Sequence, residues 1–209
     1  MRAGSAPATV AVAAATTAAS VMILLSGWLA PAAVLGGFVA DRFRGLVIPE
    51  ELGAAVPAWL TPLSATLIHG GLGHLALNLV MLVYCGLLVE RALGSAGFVL
   101  LYVVGAYAAA AGQWFMLDGG PMIGASGAIS AVVAAYALLY GRKRPRALGP
   151  LSGRVVHVLW LTAAWVGLQL LVGVVGFGGA PVAIGAHIGG FLAGLALARP
   201  LLLWRWRGA

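Results

Sequence analysis

Gly124-Ala125-Ser126-Gly127-Ala128-Ile129-Ser130 sets a hydroxyl between two glycines at the mouth of an apolar run without charge from Gly119 to Gly141. A polar side chain at the start of a membrane-length helix is costly unless something uses it. Ser126 therefore needs partners, and the chain offers His187 on one apolar stretch and His74 with Asn78 on another.

The 209 residues are 62% hydrophobic and only 8% charged, with mean hydropathy +1.04. A soluble domain carries about 25% charged residues, so this chain cannot clothe a water-soluble surface. One bilayer crossing takes roughly 20 apolar residues. Uncharged windows at Ala3–Ala40, Leu52–Val89, Ala92–Leu117, Gly119–Gly141 and Val155–Ala198 meet that length, the last with room for two crossings. The reading is an all-α membrane protein, one polytopic domain over 1–209. Six spans are expected, near 8–29, 73–90, 96–117, 126–141, 155–174 and 185–203.

The net charge of +7 sits in loops rather than on an aromatic-studded soluble face, so nucleic acid is not the expected partner. Arg142, Lys143, Arg144, Arg146 and Arg154 fill one loop, Arg91 follows span two, Arg205 and Arg207 follow span six, and Arg2 precedes span one. Six crossings put all of these on one side, and the positive-inside rule makes that side cytoplasmic. Both termini are then expected in the cytoplasm, in a bacterial plasma membrane. The opposite loops hold only Arg42 and Arg44. Cys85 is the single cysteine, so no disulfide framework exists; it reads as a small packing residue. The first apolar run exceeds the 7–15 residues usual for a signal peptide and is read as a retained span.

Span one carries no visible chemistry. The connection over Pro31–Gly71 mixes Asp41, Arg42, Arg44, Glu50, Glu51, Pro57, Trp59 and Pro62 with apolar residues, which suits short helices in the outer interface. His74 and Asn78, four apart, share one face of span two. His69, just before it, reads as a water- or substrate-binding residue or as an interfacial one. Gln113 and Gln169 read as interhelical hydrogen bonders, with Gln113 also placed to pass water inward. His157 lies at the cytoplasmic end of span five. Ser130 follows Ser126 by one turn. In span six, Gly190 and Gly194 share a face with His187, and such small residues let two helix backbones approach closely.

With a cytoplasmic N-terminus, spans two, four and six all run inward. His74, Asn78, Ser126 and His187 then lie at one depth, just below the outer surface. A serine hydroxyl is a weak nucleophile until a base takes its proton, and His187 is the best-placed base. The acids Asp41, Glu50, Glu51, Glu90 and Asp118 lie outside these helices, so the arrangement reads as a dyad without a third member. Two histidines, an asparagine and a serine are a poor metal ligand set, and no cofactor is called for. Oxyanion donors are offered by His74, Asn78 and the Ser126 N–H at a helix start. Gly124 and Gly127 would admit a substrate backbone. The stretch is not the soluble Gly-x-Ser-x-Gly elbow, since Ala128 holds the final position.

These residues resemble the rhomboid family of intramembrane serine proteases. The likeness rests on Gly124-Ala-Ser126-Gly127, His74-x-x-x-Asn78, Gly185-Ala-His187 with Gly190 and Gly194, and Glu90-Arg91-Ala-Leu-Gly94-Ser95, over about residues 55–200. It implies a six-helix bundle that cleaves transmembrane segments of other proteins near the membrane surface without metal or cofactor. It also implies Ser126 as nucleophile, His187 as base, and His74 and Asn78 at the oxyanion. Two departures stand out. Ser130 takes a position where the family often has an aromatic residue against the histidine ring, and the first outer loop lacks the family's frequent Trp-Arg pair. The alternative is a catalytically inactive relative that binds membrane helices for trafficking or quality control. A transporter would spread polar residues along a whole path, and here they gather at one end. The sequence leaves substrate, gating element and oligomeric state open.

Overall fold

The computed structural model describes residues 5–44, 55–116, 120–141, 146–175 and 182–207, with backbone only for 169–175. Arg2, Glu50, Glu51, Asp118, Arg142, Lys143 and Arg144 lie outside the described residues, as does the Gln169 side chain. The described chain is helical, without strands: α1 (Pro7–Leu25), α2 (Leu29–Gly36), α3 (Ala40–Phe43), α4 (Thr61–Ser64), α5 (Leu72–Trp114), α6 (Ser126–Tyr140), α7 (Gly153–Val175) and α8 (Ile184–Arg205). Helices α1, α5 and α8 are long and apolar enough to cross a membrane. The 15 residues of α6 reach about 22 Å, short of the roughly 30 Å hydrocarbon core, so at least one of its ends lies below a membrane surface if it crosses.

The expected spans 73–90 and 96–117 appear as one 43-residue helix, α5, broken at Gly94 (φ 76°, ψ 163°). That left-handed φ favours glycine, and the chain doubles back there into two arms, 72–93 and 95–114. The expected first span reaches 29, yet α1 stops at Leu25. Between α1 and α5 the chain forms α2, α3 and α4, with 3-10 turns at Ala58–Leu60 and Ala65–Leu67.

Helix α1 is inside-out by the standard of a soluble protein. It buries Thr9, Thr16 and Ser20 and exposes Val10, Met22 and Leu25, the last at 84%. Lipid is as apolar as leucine, so helix contacts there favour small residues and hydroxyls. The same rule joins α6 to α8. A Cβ on Gly190 would collide with the Gly127 carbonyl oxygen, and one on Gly194 with that of Ala131. Gly185 and Gly189 meet Gly112 and Ala108 of α5 in the same way. Leu82, Val89, Leu93, Phe98, Leu101 and Val132 fill the remaining core.

Glu90 corrects the expectation that no acid lies within these helices. Its arm of α5 continues to residue 93, and its carboxylate is 1% exposed. It accepts the backbone N–H groups of Ala8 (3.0 Å) and Thr9 (2.6 Å) and the hydroxyls of Thr9 and Ser95 (both 2.7 Å). First-turn N–H groups have no partner within their own helix, and the helix dipole favours an anion there. Arg205 closes the same end by donating to the carbonyl oxygens of Glu90 (3.2 Å) and Arg91 (2.8 Å). Glu90→Gln leaves one side-chain atom unable to accept, and it should cost about 2–4 kcal/mol by stranding buried donors. Thermal denaturation in detergent measures this; an unchanged midpoint would remove Glu90 as the tie between α1 and α5.

Candidate active site

Ser126 is the first residue of α6, and His187 lies in the first turn of α8. His187 Nε2 and Ser126 Oγ are 2.7 Å apart, a full hydrogen bond for this pair. The Gly127–Gly190 approach one turn along brings the two backbones close enough for that contact. Behind His187, the Trp165 indole N–H of α7 donates to the His187 carbonyl oxygen (3.3 Å), and its ring stacks on Phe191 at 5.0 Å and 8°. Ser130 does not stand in for an aromatic residue: it is buried, and its hydroxyl donates to the Ser126 carbonyl oxygen at 2.7 Å.

The loop before Ser126 is fixed from three sides. Phe38 and Met122 exchange backbone hydrogen bonds (3.0 and 2.8 Å), and the Gly124 N–H donates to the Ala65 carbonyl oxygen (2.9 Å). Gly124 has φ 109°, and a Cβ there would lie 2.7–2.9 Å from the His74 ring and 3.8 Å from Ser126 Oγ. Glycine is thus required twice, for backbone and for space. His74 is exposed, in the first turn of α5. Its Nδ1 accepts the Gly70 N–H (3.3 Å), which assigns the ring proton to Nε2, the nitrogen lying against the serine loop. Asn78 is buried, and its Nδ2 donates one hydrogen to the His74 carbonyl oxygen (2.8 Å), keeping a second. Gly127 packs against Ala109 and Ala186, so a Cβ there would strike Ala109. Beside Ser126, Gly124, Met122 and Ala183 lies a cavity of about 10 Å³, space for about one water.

His69 is fully buried. Its Nε2 accepts the Ala125 N–H (3.3 Å), so Nδ1 carries the proton and faces Ser20 Oγ at 2.8 Å, and Ser20 donates onward to the Leu67 carbonyl oxygen (2.8 Å). The His69 ring also meets that of His74 edge-on at 4.9 Å. Helix α1, silent in the sequence, therefore reaches through Ser20 to the residue preceding Ser126. The place of His69 just before the helix was visible in the sequence; its Ser20 partner, 49 positions away, was not.

Burial, and then the neighbouring His74, hold His69 down to about 4 from an ordinary 6.5. Between those values the unfolded chain binds a proton that the folded chain excludes. Stability is then complete above about pH 6.5 and falls as pH drops toward 4, by on the order of 3 kcal/mol. The melting temperature of wild type should decline across that window, and that of His69→Gln should start lower and decline less. Parallel profiles would dismiss the buried neutral imidazole.

A Rhomboid domain model matches residues 57–204 of the chain. RHOMBOID-like protein 4 of Arabidopsis thaliana is 32% identical over 146 residues, 68% of this chain and 34% of that protein. Rhomboid protease GluP of Bacillus subtilis (strain 168) is 30% identical over 142 residues, again 68% of this chain, and 27% of its own length. The chain thus matches about a third or less of each of these relatives.

Proposed function

The chain belongs to the rhomboid family, an all-helical integral membrane protein, and from that premise we propose that it is an intramembrane serine endopeptidase working through Ser126 and His187. The observation that carries this reading is the 2.7 Å contact between His187 Nε2 and Ser126 Oγ. As the peptide carbonyl arrives, Ser126 gives its proton to His187 Nε2 and attacks the carbonyl carbon. The negative charge then builds on an oxygen faced by the His74 Nε2–H, the Asn78 amide and the Ser126 N–H. Fixed donors of this kind are worth about 2.7–4 kcal/mol each. The His187 imidazolium returns its proton to the departing amine, leaving an acyl-Ser126 that water clears by the reverse sequence. No metal or cofactor takes part in these steps.

The substrates are transmembrane segments of other proteins, unwound enough near the outer surface to present a scissile bond. In this reading both arms of α5 cross, giving six crossings in all, and the chain's two ends lie in the cytoplasm. Glu90 and Arg205 then mark the inner end of the bundle, and Ser126 the outer. Labelling by a fluorophosphonate tests the reading directly. An activated serine should be modified at Ser126 alone, and the label should vanish in His187→Ala, which keeps the hydroxyl but loses the base. Failure of wild type to label in a folded preparation would leave the family's other expected role, binding membrane helices without cleaving them.

A further inference from the structure

A second cavity, of about 400 Å³, opens on the outer flank of the bundle between α1, the 56–67 segment and the second arm of α5. Its size falls in the range of ligand sites, roughly 300–1,000 Å³. Val12 and Ala15 of α1, Leu60 and Leu63 of the connection, and Val99 and Val103 of α5 line it. On its lining sit Thr66 and Tyr102, with Thr16 close by the Tyr102 hydroxyl. The Tyr102 hydroxyl is buried, enclosed by the hydroxyls of Thr66 and Thr16. In the orientation proposed above, this apolar opening on an integral membrane protein faces lipid. At its upper edge the Arg42 guanidinium donates to the carbonyl oxygens of Val56 (2.7 Å) and Leu35 (3.4 Å) and, among the described residues, has no carboxylate partner.

We propose that this apolar cavity holds one acyl chain of a phospholipid from the outer leaflet, with the lipid phosphate at Arg42. The site is not remote from Ser126. Thr66 lines this cavity and also the small one beside Ser126. Its neighbours carry the serine loop: Ala65 holds the Gly124 N–H, and His69 holds the Ala125 N–H. An acyl chain would brace the 61–69 segment from behind and so fix the loop that positions the nucleophile. Lipid capture is independent of the peptidase reading; its effect on Ser126 rests on it.

Native mass spectrometry of detergent-purified protein, exchanged against palmitoyl-oleoyl phosphatidylglycerol, tests the site. Wild type should retain one phospholipid. Ala15→Trp, an exposed position whose new side chain fills the cavity, should lose it, as should Val103→Phe, which guards against one variant misfolding. Arg42→Gln should weaken retention of the phospholipid but not of the corresponding diacylglycerol, which lacks the phosphate. Stripping lipid from wild type should slow fluorophosphonate labelling, and phosphatidylglycerol should restore it. Folded Ala15→Trp should not respond to lipid. Equal retention by wild type and both filled variants, or a cavity occupied only by water, overturns the site. Loss of retention with an unchanged labelling response overturns the coupling. Absence of labelling in wild type with lipid still retained would instead sink the peptidase reading and leave the lipid site standing.

Discussion

Ser126→Ala and His187→Ala should each lower cleavage of a membrane-helix reporter by on the order of 10⁶-fold, and the double variant should be no worse than either. The hydroxyl and the imidazole meet at 2.7 Å, and in the proposed mechanism they act as one unit, so removing half removes the function of both. Whatever turnover remains would come from the oxyanion donors, which neither change disturbs. The fold should survive. Ser126 is only half-buried, its backbone is held by the loop contacts of residues 122–125, and His187 is not among the core residues. Reporter cleavage, beside helical content and melting of each variant, separates lost chemistry from lost structure. Undiminished cleavage by either single variant would exclude the dyad, and a multiplicative loss in the double variant would mean that the two residues act apart.

What the sequence made legible was the set of helix starts. Ser126, His74 and His187 each open an apolar stretch, and such starts can be read from where polarity ends and hydrophobic length begins. The Gly190–Gly194 spacing was legible for the same reason, because it is periodic within one helix. Contacts between distant segments were not. Glu90 looked like the charged end of a span, since nothing in the local sequence announces that Thr9 and Ser95 will bring their hydroxyls to it. Ser20 looked like filler in an alanine-rich helix until folding set it against His69. Buried polar partners are chosen by the tertiary fold, and each partner alone resembles any other polar residue. The break at Gly94 lies between these cases. A glycine there was visible, but its left-handed φ and the Arg205 cap over it were not.

Gly190→Ala is the second change with a large expected effect, because its direction runs against local propensity. Alanine favours a helix by about 1 kcal/mol over glycine, so α8 itself should gain. The added methyl, however, would occupy the position of the Gly127 carbonyl oxygen and press on Ser130 Cβ, 3.4 Å away. Both sides of that contact are helix backbone, and neither can rotate out of the way as a flexible side chain does. Relief must come from α8 retreating from α6, which opens the Ser126–His187 contact one turn away. A misplacement of about 1 Å at reacting groups costs on the order of 10²-fold, and cleavage and fluorophosphonate labelling should fall together by about that factor. Leu192→Ala is the control: its side chain points outward at 48% exposure, so it alters α8 without touching the seam and should leave both rates near wild type. Wild-type labelling by a folded Gly190→Ala protein would mean that the glycine seam does not set the distance between nucleophile and base.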